Sequence, residues 1–336
     1  MARLKFQGPL ALRLRSLIAI NRIALQTWFR HATGRRMAPD WAAGFEIGVR
    51  FWRHQFKAAL SEHDIARGRA IFDSLLTETD DHYDVTVEPC TWPKGDWFYP
   101  GQRSGDTTVL HFHGGGYSFY GSVGRRFATM LAHHIRAPVF APDYRLTPEH
   151  PHPAQADDAI AAWEHLSRSV PPERIVVTGD SAGGHMALML LQSLRARGLP
   201  QPAICVGLCP WTDIGDRGES LRGNDRFDLV QGWMALQFGQ WLDPNSTYGR
   251  EALSPCFQNF AGLAPIYVQA GGREVLRDMI VEFVEIQRAH GAKIELDLWN
   301  DMPHDFQAYD SLKPSSVEAL ARLAQIIQAR RLPERG

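Results

Sequence analysis

The stretch from Arg174 to Gly184 constrains this chain more than any other. Ile175 to Thr178 is a short apolar, β-branched run of the kind that forms a buried strand. Gly179-Asp180-Ser181-Ala182-Gly183 follows at once. His185 to Leu194 then carries good helix formers, closed by Gly198 and Pro200. Strand, tight turn and helix are the context a G-x-S-x-G nucleophile elbow requires. Glycines on both sides let a strained turn pass neighbouring backbone without a clash. The Ser181 hydroxyl then stands clear of the sheet at the positive end of the next helix. A glycine-rich turn can hold a serine by accident, so the rest of the chain has to decide.

The pattern around this turn is α/β. Runs at Thr107–Phe112, Pro138–Ala141, Ala203–Leu208, Ala264–Ala270 and Lys293–Trp299 read as strands. Helical stretches fall between them, at 127–135, 154–167, about 275–290 and about 315–330. Such alternation predicts a mostly parallel sheet covered on both faces. Val85–Val87 and Trp97–Tyr99 read as a strand pair, with Pro89 to Asp96 as its turn. The chain has 336 residues, enough for one α/β domain with an added cap. Residues 1–75 read as helices, and between Asp213 and Pro255 the alternation stops. The expected division is a helical cap segment over 1–75, a catalytic domain over 76–212 and 251–336, and a cap insertion over 213–250.

Composition excludes several classes. Net charge is −1, so no global basic field points to nucleic acid. Residues 1–36 are the exception, with eight Lys or Arg and no Asp or Glu. Leu10, Leu14, Leu17, Ile18, Asn21, Leu25 and Trp28 recur there near helical spacing, as in a basic amphipathic helix. It reads first as a cap helix packed on the body, and attachment to anionic lipid is the alternative. No apolar run spans a bilayer, and no secretory cleavage pattern follows. The four cysteines, Cys90, Cys205, Cys209 and Cys256, form no C-x-x-C pair. They read as reduced thiols of a cytoplasmic protein. A homodimer stays open.

A second motif follows the strand ending at Phe112. His113-Gly114-Gly115-Gly116 places consecutive glycines where backbone N–H groups can point inward. A tetrahedral acyl-transfer intermediate needs such preorganised donors for its oxyanion. The expected donors are the N–H groups of Gly115, Gly116 and Ala182, with Gly114 shaping the turn. No phosphate-loop pattern fits this context. His111 and His113 lack a further ligand at metal spacing, so neither metal nor cofactor is expected.

Together, His113-Gly-Gly-Gly116, Gly179-Asp-Ser-Ala-Gly183 and Asp143-Tyr-Arg-Leu-Thr-Pro-Glu-His150 resemble the hormone-sensitive-lipase-like family of α/β-hydrolases, the bacterial family IV esterases. The resemblance runs from about residue 84 to 310. It implies an α/β-hydrolase fold with a mostly parallel eight-stranded sheet. It also implies a cap built from the N-terminal helices and the insertion. Asp143, Arg145 and Glu149 are expected to form a local ion-pair network that supports the scaffold.

A serine nucleophile needs a histidine base and an orienting carboxylate, in the chain order Ser, acid, His. His185 lies on the helix after Ser181, and His290 ends a helix. His304, in a loop after the last strand, resembles the family's final histidine. Gly271 to Asp278 matches the family's acid loop, usually Asp-x-Leu-x-Asp. Glu274 takes its first acidic position, a departure from aspartate, and Asp278 takes the second. Glu274 is the expected acid and Asp278 the alternative, while Asp301 and Asp305 read as solvated loop charges. The implied activity is serine carboxylesterase, acting through an acyl-enzyme on a small ester of short to medium acyl chain. Lactonase or amidase chemistry on the same triad, or a non-catalytic receptor, are the alternatives. Tyr117, Trp233, Phe238 and Trp241 are the aromatic candidates for the substrate pocket.

Overall fold

The buried runs of the sequence become the centre of one sheet. The structure, a computed structural model, describes residues 4–77 and 83–329. Its strands are β1 (Val85–Thr91), β2 (Lys94–Pro100), β3 (Thr108–Phe112) and β4 (Val139–Pro142). They continue with β5 (Ile175–Asp180), β6 (Ile204–Leu208), β7 (Ile266–Gly271) and β8 (Ile294–Trp299). Across the sheet the order is β1-β2-β4-β3-β5-β6-β7-β8. β2 runs antiparallel to β1 and β4, and every other pairing is parallel.

Every residue of β3 to β7 is buried, while no residue of the edge strands β1 and β8 is fully buried. This is why the central strands read as continuous apolar runs: both faces are covered. Successive side chains point to opposite faces. Leu110, Val177 and Cys205 join the core on one side, and Val109, Val176 and Val206 the core on the other. Helices α5 (Ala154–Ser167), α6 (Ala182–Ala196) and α8 (Arg277–Ala289) pack on the first side. Helices α4 (Ser122–Ile135) and α9 (Pro314–Ala329) pack on the second.

Three N-terminal helices precede the sheet: α1 (Leu10–Ala32), α2 (Ala43–Leu60) and α3 (Ile65–Phe72). A ribbon of Leu4–Phe6 against Leu75–Thr77 closes this segment, where sequence reading expected helix throughout. Helix α7 (Gly232–Leu242) lies in the 213–250 stretch. Arg53 of α2 donates to the backbone carbonyls of Asp225 and Arg226, tying the two regions together.

The largest boundary shifts fall at β1 and α4. β1 continues through Pro89 to Thr91, where a turn was expected, and the turn narrows to Trp92-Pro93. A proline is tolerated there because β1 is an edge strand. Helix α4 starts at Ser122 rather than Phe127, because the Asp73 carboxylate accepts the Ser122 N–H at 3.0 Å. That acceptor comes from 49 residues away, so no local pattern announces it.

The parallel strands end on one side of the sheet. Phe112 is level with Gly179, Asp180 with Leu208, and Trp299 with Gly271. The loops after β3, β5, β7 and β8 therefore leave the same edge, on either side of the point where the strand order reverses. Open α/β sheets bind ligands there.

Candidate active site

Ser181 sits in the turn between β5 and α6 with φ 52° and ψ −117°, in the left-handed half of the map that side chains avoid. The surroundings over-determine this conformation. Its N–H donates to the Leu208 carbonyl at 2.9 Å, and its carbonyl accepts the Trp211 N–H at 3.0 Å. A Cβ on Gly179 would land on the Gly183 carbonyl, and one on Gly183 on the Phe112 carbonyl. Both glycines are thus required by close approach.

His304 Nε2 lies 2.8 Å from Ser181 Oγ. Its Nδ1 lies 2.7 Å from Glu274 Oε2. Glu274 Oε1 accepts the Gly271 N–H at 2.7 Å, which fixes the carboxylate at the end of β7. Both side chains are buried. Asp278 points elsewhere: it accepts the Ser220 N–H at 2.8 Å and pairs with Arg277. The structure therefore brings Ser181, His304 and Glu274 into one hydrogen-bonded line and leaves Asp278 outside it. His185 is also outside, held between the Tyr117 hydroxyl at 2.6 Å and the Leu253 carbonyl at 2.6 Å. His290 caps the C-terminus of α8.

The glycine loop lies beside this line. Gly115 and Gly116 adopt φ 95° and 61°. A Cβ on Gly115 would strike the Phe119 carbonyl, and one on Gly116 the Phe238 ring. The N–H groups of Gly115, Gly116 and Ala182 take no acceptor among the described residues. The Gly114 N–H is already used, donating to Asp180 Oδ2 at 2.9 Å. The aspartate next to Ser181 thus anchors the loop. His113 is sandwiched between Tyr120 and Tyr144, at ring distances of 4.0 and 4.1 Å. Burial pushes its pKa down to about 4, so it stays neutral. The Tyr144 hydroxyl donates to the His113 carbonyl at 2.7 Å.

Comparison with known proteins fits this geometry. Residues 109–308 match the family of the alpha/beta hydrolase fold. An acetyl-hydrolase of Streptomyces hygroscopicus is 32% identical over 245 residues, 70% of this chain and 79% of that protein. An esterase of Acinetobacter venetianus is 33% identical over 231 residues, 67% of this chain and 75% of that protein. The crystal structure of an esterase from the bacterial hormone-sensitive lipase family superposes with a TM-score of 0.71 at 28% identity. That superposition covers 93% of this chain and 98% of the other. The chain belongs to the hormone-sensitive-lipase-like family of α/β-hydrolases. It is a carboxylic ester hydrolase.

In this esterase a narrow cavity of about 30 Å³ opens beside Ser181. Phe56 of α2, Trp211, Val230, Ala235, Phe238 and Leu276 supply its apolar wall. Of the four aromatic residues expected at the pocket, only Phe238 lines it. Tyr117 is buried against His185, Trp233 is exposed, and Trp241 packs against Phe238 at 6.2 Å. Helical spacing cannot tell which side of α7 faces the cavity. Trp211 and Val230 carry no sequence signal beyond being apolar.

Two carboxylates in the site escaped sequence reading. Asp305, expected to be a solvated charge, is tucked under the cap with its side chain 19% exposed, and Oδ2 is 3.4 Å from His304 Nε2. Its Oδ1 is buried without a partner among the described residues. A left-handed backbone, φ 49°, turns it inward. Burial pushes its carboxyl well above the usual range. Asp228 is fully buried and accepts three N–H groups: His304 at 3.0 Å, Leu229 at 2.7 Å and Val275 at 2.6 Å. It clamps the acid loop and the base loop to the 213–250 stretch. Burial raises its carboxyl to about 6. Burial by itself would lower His304, but the carboxylates of Asp305, Glu274 and Asp228 outweigh it and raise His304 to about 10. A proton on Asp305 removes one of those charges, so the two groups titrate together.

The one cluster with metal-ligand spacing among the described residues is Cys209, His304 and Asp305, with ligand atoms within 4.8 Å. Its donors do not suit a metal. Burial pushes the Cys209 thiol well above its usual range, and both His304 nitrogens are engaged.

The expected local network within Asp143–His150 is corrected. Asp143 pairs with Lys94 at 2.5 Å, Arg145 with Asp158 at 2.8 Å, and Glu149 with Arg69 at 2.6 Å. Each charge ties this segment to a different element, and none pairs with another of the three. All four cysteines are free. No described helix is long and apolar enough to cross a membrane.

Proposed function

We propose that this esterase is a serine carboxylesterase working through an acyl-enzyme. The observation that carries the reading is the continuous hydrogen-bonded line from Ser181 Oγ through His304 to Glu274. Ser181 Oγ attacks the ester carbonyl carbon while His304 Nε2 takes the hydroxyl proton. Glu274 holds the Nδ1–H and stabilises the imidazolium. The N–H groups of Gly115, Gly116 and Ala182 receive the oxyanion. The intermediate collapses, the C–O bond to the alcohol breaks, and His304 returns the proton to the leaving oxygen. Water then attacks the acyl-enzyme with His304 again as base, releasing the acid.

The acyl group is short to medium in this reading. Phe238, Trp211 and Leu276 crowd the space beside Ser181, and one relative is named an acetyl-hydrolase. Residues 1–75 and 213–250 act together as the cap over a catalytic domain of 76–212 and 251–336. Phe56 from the first and Phe238 from the second meet at the cavity. Four free cysteines suit a reducing, cytoplasmic setting.

A panel of p-nitrophenyl esters graded by acyl length, with a lactone and an anilide, tests the reading alongside fluorophosphonate labelling. The expected result is stoichiometric labelling of Ser181, abolished in Ser181→Ala, with kcat/KM highest on short acyl chains. Labelling elsewhere, or an unmodified chain that still hydrolyses esters, would overturn the nucleophile assignment. A lactone or anilide turned over faster than every ester would overturn the substrate class.

A further inference from the structure

Surface helices normally bury their apolar stripe and expose the polar one. Helix α1 buries only a narrow stripe and leaves most of its large apolar side chains outside. Its buried positions are Ser16, Ala19, Ile23 and Thr27. Ser16 Oγ lies 2.6 Å from Ser74 Oγ, and Arg50 donates to Thr27 Oγ1 at 2.6 Å. Two hydroxyls, together with Ala19 and Ile23 packed against Phe51 and Leu75, fasten the helix to the body. Its outer face is apolar. Of sixteen large apolar side chains exposed among the described residues, seven lie on α1, from Leu10 to Phe29. Leu25 is 73% exposed, Phe29 66% and Trp28 61%. At helical periodicity all seven fall within an arc of about 120°, a continuous ridge along the helix.

The flanks of this ridge are cationic. Helix α1 contains Arg13, Arg15, Arg22 and Arg30 and no acidic residue, and of these Arg30 is paired with Glu46 of α2 at 3.5 Å. Beside the helix a groove of about 1130 Å³, lined in part by Leu14 and Ile18 of the ridge, opens between α1, α2 and the 226–231 segment. Arg15, Arg22, Arg50, Arg53 and Lys57 line the groove, and no described carboxylate does. Arg50 and Arg53 hydrogen-bond only neutral oxygens there. Arg15 keeps a buried nitrogen, Nη1, without a partner among the described residues.

We propose that α1 docks this esterase on an anionic membrane surface, its apolar ridge seated at the acyl-chain boundary and its arginines on acidic lipid headgroups. An interfacial helix combines these two faces. Acidic headgroups supply the anions that the groove lacks, and each cation near such a surface adds to the attraction. A second copy of the chain is the poorer occupant. It would bring two arginine-flanked ridges together with no carboxylate on α1 to separate the charges. The site proposed is distinct from the catalytic line, yet Val230 of the segment bordering the groove also lines the cavity beside Ser181. Docking would therefore hold that cavity close to esters dissolved in the leaflet.

Co-sedimentation of the full chain with phosphatidylcholine vesicles, with and without phosphatidylglycerol, tests this. The expected result is at least roughly tenfold stronger partitioning onto the phosphatidylglycerol vesicles, weakened by salt. Leu25→Glu combined with Trp28→Glu should lower that partitioning roughly tenfold or more, since it removes two exposed apolar groups and adds two anions. Hydrolysis of a water-soluble acetyl ester by this variant should be unchanged, which shows that it is folded. Equal, weak partitioning onto both vesicles would overturn the proposal, as would a double variant that binds like the parent. A parent dimer in sedimentation velocity that the double variant dissolves would assign the ridge to a second copy instead. Vesicle binding does not read ester chemistry, so this result stands or falls apart from the proposed mechanism.

Discussion

Glu274 carries one methylene more than an aspartate would. The longer side chain reaches His304 Nδ1 at 2.7 Å while its other oxygen takes the Gly271 N–H. Glu274→Gln should lower kcat on the order of 10³- to 10⁴-fold, because an amide can present the wrong partner to Nδ1 and lose the tautomer. Asp278→Asn should cost far less, since Asp278 meets Ser220, Glu219 and Arg277 rather than His304. Steady-state kinetics on a short ester checks both, and equal losses would sink the assignment. Asp305 makes a second, opposite prediction. Its carboxylate favours imidazolium at His304, and the base must be neutral to act. The acid limb of the kcat/KM profile should therefore lie above the ordinary histidine value of 6.5. Asp305→Asn removes the charge, lowers the His304 pKa and should move that limb to lower pH. A limb that stays put, or rises, would remove Asp305 from the proton balance. Ser181 and His304 were legible because motif and chain order single them out. Asp305 and Asp228 were not, since an acid beside a loop looks the same in sequence whether it faces water or the site.

The glycine loop shows what the elements add. Its donors are backbone groups, so their aim depends on what holds the loop rather than on its own residues. Asp180 holds the Gly114 N–H, Phe119 blocks any side chain at Gly115, and Tyr144 holds the His113 carbonyl. Tyr144 belongs to the 143–150 segment, whose charges reach β2, α5 and α3 separately. Sequence marked that segment as scaffold, but its partners lie far along the chain and no spacing rule locates them. Tyr144→Phe leaves the His113 carbonyl short of a buried donor and should cost about 1 kcal/mol of stability. It should also lower kcat about tenfold with KM little changed, because the donors it steadies act mainly on the transition state. Thermal melts and initial rates measure the two effects. A normal kcat with reduced stability would make Tyr144 a packing residue only.

Over the whole molecule, the alternation of strands and helices was readable because the central strands are buried on both faces and the edges are not. The convergence of four loops was not readable, since it follows from strand order and register. Global stability also depends on such long-range ties, and Asp310 is the clearest. Its side chain is 3% exposed and meets Arg126 at 3.2 Å, His134 at 3.1 Å and the Tyr83 hydroxyl. It joins α4, the approach to β1 and the turn that follows His304. Burial would raise its carboxyl, but the hydrogen bonds from His134 and Tyr83 and the charge of Arg126 outweigh it and lower the pKa from 3.8 to about 2. A depressed folded-state pKa means stabilisation that is complete above the unfolded value and fades as pH falls through the folded one. The size of this shift corresponds to about 2 kcal/mol. Asp310→Asn should therefore lose about that much in urea unfolding at neutral pH, and more if Arg126 is left uncompensated. The gap to the parent should narrow as pH falls from about 4 toward 2. Equal stability at neutral pH, or a gap that does not change with acid, would mean that the fold is not held through this carboxylate.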